Sequence, residues 1–182
     1  MKRALFAVVV AILEVAAAPA RAAGGQLVIE ARTGWTILGT KNPTGGFTPG
    51  AAASYLFSLG EGVGLGLGAD FGIFGFGGAS RWIGILAGPT ARLSLKAGNA
   101  PLAFSFTVAA DFGRVPVCTP WEHPICPRFV GIFPSAALAG AYVSQGGIMV
   151  GGSFSVRVVN TLISTTASYE PALFVGLFLS SK

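Results

Sequence analysis

The residues with familiar reactive chemistry gather in one polar connection of this 182-residue chain. Cys118 and Cys126 bracket the stretch Thr-Pro-Trp-Glu-His-Pro-Ile. In an oxidising compartment, two cysteines so placed read as a disulfide closing a single exposed loop. The alternative is a metal site drawing on His123 and Glu122, but the spacing lacks the close cysteine pairs of zinc modules. No metal and no cofactor is expected. His123 is the only histidine and no serine lies near it in sequence, so a Ser-His-acid hydrolase would need unusual geometry. No phosphate-binding loop stands out, and the glycine repeats between Gly64 and Gly72 precede no helical pattern, which leaves a dinucleotide site weak. The chain is therefore expected not to be an enzyme. Trp121, Glu122 and His123 are candidates for binding at the tip of the stapled loop. The plainer role of the staple is to limit loop entropy and proteolysis.

A second set of chemical groups is dispersed. Glu30, Arg32, Asp70, Arg92, Lys96, Asp111 and Arg157 fall inside segments that otherwise alternate apolar with small or polar side chains, and Glu170 lies near the start of the last such segment. A two-residue period puts each charge on the face opposite most of the large apolar residues. Such a chain is oily outside and charged inside, and a lipid bilayer is the solvent that demands this inversion. Four acidic and four basic groups in one interior balance. They form a lumen charge network that serves either as a polar plug or as a narrow ion path. Eight strands enclose a space about filled by side chains, which favours the plug. The inward glycines of the third segment leave room for water and keep the pore reading open.

Eight segments position these groups, at about Gln26 to Leu38, Ala51 to Leu59, Val63 to Phe76, Trp82 to Ala97, Leu102 to Val115, Phe129 to Val143, Ile148 to Asn160 and Ser168 to Leu179. The expected fold is all-β, an eight-stranded antiparallel up-and-down transmembrane barrel. The long connections, Gly39 to Gly50 and Pro116 to Arg128, fall at the end opposite the short turns at Gly60 to Gly62, Gly98 to Pro101 and Ser144 to Gly147. Parity is clear in the fifth segment, where Phe104, Phe106, Val108 and Phe112 oppose Ser105, Thr107 and Asp111. It is ambiguous in the sixth. Phe74, Phe76, Phe174 and Phe178 fall on the inward parity as exceptions. Pro89, Pro134 and Pro171 lie within strands, and a closed barrel has no free edge to receive them. The competing architecture is a helical multi-pass inner-membrane protein, using Ala51 to Gly78 and Phe129 to Val156 as spans.

Composition agrees with a membrane setting. The chain is 52% hydrophobic and 10% charged, against about 25% charged in soluble domains. Lys2 and Arg3, the apolar run Ala4 to Ala18 and the small-x-small site Ala20-Arg21-Ala22 read as a secretory signal over residues 1–22, leaving residues 23–182 as the barrel domain. That cleavage removes Lys2, Arg3, Arg21 and Glu14 and leaves nine basic against six acidic residues. The basic residues are scattered, so nucleic acid is not an expected partner. Trp35, Trp82, Tyr55, Tyr142 and Tyr169 lie towards strand ends, as interfacial aromatic belts do.

Together these features resemble small eight-stranded outer-membrane barrels of the OmpA/OmpX type. The resemblance is architectural and covers residues 23–182. It implies the outer membrane of a Gram-negative bacterium, reached after export and signal cleavage, and contact with the bilayer, lipopolysaccharide and the outer-membrane assembly machinery. It also implies a structural or surface-binding role through the loops. Relatives of this kind include porin-like and adhesive proteins, and some lipid-modifying enzymes. Family members end their last strand on an aromatic residue, where this chain has Leu179.

Overall fold

A computed structural model describes residues 25–39, 45–76, 82–97, 100–116, 128–160 and 165–180. Eight strands follow in order, β1 (Gln26–Leu38), β2 (Gly45–Gly60), β3 (Val63–Phe76), β4 (Trp82–Lys96), β5 (Leu102–Pro116), β6 (Arg128–Val143), β7 (Ile148–Asn160) and β8 (Thr165–Ser180). Each pairs antiparallel with its sequence neighbours, and β8 returns to β1, so the sheet closes without an edge. Among the described residues there is no helix, and the multi-pass alternative is excluded.

The register fixes the shape. Following hydrogen-bonded neighbours from Val28 leads through Ser54, Gly68, Thr90, Ala109, Ser135, Arg157 and Ser168 back to β1 at Leu38. The return lies ten residues further along the strand. With a rise of about 3.3 Å per residue and about 4.8 Å between strands, eight strands at this stagger tilt by roughly 41°. Strands of 13 to 16 residues then rise about 32–40 Å along the barrel axis, enough to carry an apolar band of about 25 Å across a bilayer.

The two faces separate as the two-residue period requires. Large apolar side chains of the outward parity lie open around the wall, among them Leu67, Phe106, Leu138, Phe154 and Leu173. Aromatic residues ring this band. Trp35, Phe47 and Tyr169 lie towards one end, and Tyr55, Phe57 and Tyr142 towards the other. Tyr55 and Phe57 meet edge to face at 4.7 Å. The turns at one end need glycine at Gly62 and Gly147, whose φ angles are 78° and 79°.

Several boundaries and faces differ from expectation. β2 begins at Gly45, so the expected loop Gly39 to Gly50 gives its last six residues to a ladder running from Ile37↔Gly45 to Arg32↔Gly50. β8 likewise starts at Thr165, opposite Asn160. In β6 closure decides the face: Asp111↔Phe133 are partners, and Phe133 is buried inside while Val130, Ile132 and Leu138 face out. Phe174 and Phe178 do point inward, Phe174 buried and Phe178 packed against the core.

The strand prolines are accommodated without bulges. Each faces outward and keeps one ladder while the other lapses beside it. Pro89 pairs with Ala69 of β3, but the β4–β5 ladder skips from Ala87↔Phe112 to Thr90↔Ala109. Pro134 pairs with Ala110, and β6–β7 pairing starts only at Ser135. Pro171 pairs with Phe154, and the β1 ladder skips from Gly34↔Ala172 to Ile37↔Tyr169. Beside Pro89 and Pro171 two successive pairs lapse and the register resumes unchanged, whereas at Pro134 the β6–β7 ladder ends.

Candidate functional site

Inward parity brings groups from six strands together in the middle of the lumen. The guanidinium of Arg157 on β7 lies between two carboxylates. Its Nε and Nη2 donate to Asp111 Oδ2 on β5 at 3.2 and 2.9 Å, and its Nη1 donates to Glu170 Oε1 on β8 at 2.5 Å. All three side chains are almost fully buried. Ser155 and Ser168 donate to the two oxygens of Glu170. Arg32 on β1 reaches Asp70 on β3 with one Nη2 group, at 2.7 and 2.5 Å from its two oxygens. Arg92 on β4 lies 2.8 Å from Glu30 on β1 and donates to Ser105 on β5. Beyond this ion pair, Glu30 Oε1 and Arg92 Nε have no hydrogen-bond partner.

Seven of the eight charges expected in the lumen are thus joined in three clusters. Lys96 is not among them. It is exposed at the turn end of β4, because parity sets the face of a residue and says nothing of its height. The clustered charges number three guanidiniums against four carboxylates. Taking them fully out of water is costly, and the pairing offsets that cost while fixing which strands face one another.

Apolar side chains lie on both sides of this polar waist. Towards the turn end, Val28, Leu56 and Met149 form a buried cluster, with Ala141, Val143 and Phe178 packed on it. Leu86 and Phe133 are buried in the loop-side halves of their strands, where Thr36 and Thr48 also hydrogen-bond at 2.6 Å. The glycines of β3 do not open a channel. A Cβ on Gly66 would meet the Tyr55 carbonyl oxygen at 2.1 Å and the Leu56 side chain at 2.7 Å. That space is already taken by Leu56, which is the reason only glycine fits there. What remains open at the waist is a cavity of about 50 Å³ lined by the charged groups and several hydroxyls.

Sequence reasoning missed Thr48, Thr90 and Ser168 as part of this interior. All three are buried; parity within the expected segments could have found Thr90 and Ser168, whereas Thr48 fell in the expected loop Gly39 to Gly50 and carried no such signal. Cys118, Trp121, Glu122, His123 and Cys126 lie outside the described residues, as do residues 1–22. Among the described residues no group of histidine, cysteine or acidic side chains could hold a metal ion.

No protein-family model matches this chain, and no curated protein matches it by sequence. Solved structures do match in shape. Neisserial surface protein A superposes over 83% of this chain and 96% of its own, with a TM-score of 0.62 at 12% identity. The N-terminal β-barrel domain of Pseudomonas aeruginosa OprF covers 85% and 97%, with a TM-score of 0.56 at 12% identity. Ail, the attachment invasion locus protein of Yersinia pestis, covers 86% and 99%, with a TM-score of 0.53 at 11% identity, and is also known in complex with the heparin analogue sucrose octasulfate. The chain shares the fold of these small eight-stranded outer-membrane barrels.

Proposed function

We propose that this protein is an outer-membrane β-barrel whose lumen is a structural plug and whose binding surface is its loop end. The observation that carries the reading is the inverted closed barrel, with large apolar side chains outward and ion-paired side chains filling the interior. A wall of this kind is stable only in lipid. The signal over residues 1–22, the assembly machinery and lipopolysaccharide contact belong to the same reading, as does a disulfide between Cys118 and Cys126. The lumen network of Glu30, Arg32, Asp70, Arg92, Asp111, Arg157 and Glu170 then serves to hold strands in register. No catalytic role is assigned, and His123 is a loop residue in this account.

The strand ends and connections at the loop end contain Lys41, Arg81, Arg114 and Arg128 against a single acid, Glu122. This excess suits a polyanionic partner, such as a sulfated polysaccharide or the phosphates of a neighbouring surface. Immobilised heparin is the probe. The protein in detergent should be retained and then released as salt rises, and Lys41→Ala combined with Arg81→Ala, Arg114→Ala and Arg128→Ala should abolish retention without loss of folding. Retention that survives the four changes refutes the loop-end reading. In planar bilayers the same protein should be silent, and regular current steps would favour a narrow pore instead.

A further inference from the structure

The waist cavity has a chemical character of its own. It measures about 50 Å³, and Glu30, Ser54, Thr90, Arg92, Ser105 and Ser153 are among its lining. Thr90 and Arg92 are more than nine-tenths buried, yet Thr90 Oγ1 and Arg92 Nε have no hydrogen-bond partner, and neither does Glu30 Oε1 beside them. A donor, an acceptor and a hydroxyl that is both therefore face one small space. A cation there would meet the Arg92 guanidinium, and an anion would meet Glu30 and Asp70. An apolar guest would leave Thr90 Oγ1 and Arg92 Nε unsatisfied at about 1–3 kcal/mol each, and Glu30 Oε1 with its ion pair to Arg92 alone. Water alone answers every group.

We propose that the lumen contains a built water site. A cluster of about three to five waters, the number such a volume admits at 10–15 Å³ each, bridges Glu30, Thr90 and Arg92 at the waist. Towards the turn end the site is bounded by Arg92 and Phe174, which separate it from a second void of about 10 Å³ against Met149 and Phe178. Beyond lies the apolar collar of Val28, Leu56 and Met149. The collar keeps the waters from exchanging quickly with solution at the turn end. The barrel thus has a wet waist closed by a dry collar. This extends the plug reading, and it fails separately from it: a dry lumen still plugs.

Oxygen-17 relaxation dispersion of water, recorded on the protein in detergent micelles, counts waters held long enough to tumble with the barrel. The native protein should show about three to five. Ala137→Leu, which points a larger side chain into the cavity, should remove most of the amplitude, and Ala109→Leu provides a second filling variant. Met149→Ala combined with Phe178→Ala should speed exchange and shrink the slow component at least twofold. Heat-modifiable gel migration selects the folded variants. A native protein with no slow waters, or a folded filling variant that keeps the full amplitude, overturns the water site. Unchanged exchange in the collar variant overturns the seal.

Discussion

Arg157→Ala should be the most damaging single change in the lumen. Arg157 is 3% exposed, and its two partners, Asp111 and Glu170, are 1% and 8% exposed. Breaking a buried pair by removing one partner costs about 3–5 kcal/mol, because the other charge is left uncompensated. Here two carboxylates lose their cation, which places the loss near the upper end, about 4–5 kcal/mol. With a urea slope of about 2 kcal/mol per molar, the midpoint should fall by roughly 2 M. Arg32→Ala supplies the internal comparison. Arg32 is 28% exposed, so its pair lies between a surface bridge at about 0–1 kcal/mol and a buried one, and a loss of about 1–2 kcal/mol is expected. The assay is reversible urea unfolding in lipid vesicles, followed by tryptophan fluorescence. The triple change Arg157→Met, Asp111→Asn and Glu170→Gln should recover most of the loss, since it removes the charges together with their cost. A midpoint for Arg157→Ala within about 0.3 M of the native protein, on the same slope of about 2 kcal/mol per molar, would refute the argument. So would a smaller effect than that of Arg32→Ala.

Two further outcomes follow from the same geometry. Val108→Arg places a cation on the outward face at the middle of β5 and should cost about 2–4 kcal/mol in vesicles, read as a lower urea midpoint. Little change there would mean that this face does not meet lipid. Under non-reducing conditions the unfolded native chain should take up no thiol-alkylating reagent, because Cys118 and Cys126 are paired, and two alkyl groups after reduction. Alkylation before reduction would remove the stapled loop.

Much of this fold was legible because its alternation is driven by solvent on both faces. Where an inward charge recurs, as at Arg92 and Asp111, parity alone gives the correct face. The sixth strand lacked such a marker: Ala136, Ala137, Ala139, Gly140 and Ala141 give no contrast, and only the pairing of Phe133 with Asp111 decides it. The start of β2 was illegible for another reason. Gly45, Gly46 and Pro49 have poor intrinsic strand preference, and the ladder from Ile37 to Arg32 holds them extended. Lys96 shows the limit of parity most plainly, because its height along β4 places it at the turn, outside the network. The glycines of β3 were visible as a pattern, but their reason lies on the neighbouring strand, where the Tyr55 carbonyl and Leu56 crowd Gly66 and the Ala53 carbonyl and Ser54 crowd Gly68. Parity places hydroxyls such as Thr90 inward, but their role emerges only when eight strands are closed around one waist.

A barrel with lipid outside and paired charge inside is tested directly by one scan. Single nitroxide labels placed at each position from Ala103 to Phe112, in a background with Cys118 and Cys126 replaced by serine, report oxygen access from the bilayer. Access should alternate, high at Phe104, Phe106, Val108 and Phe112 and low at Ser105, Thr107, Ala109 and Asp111. A period near 3.6 residues, or uniformly low access to oxygen, would contradict the account.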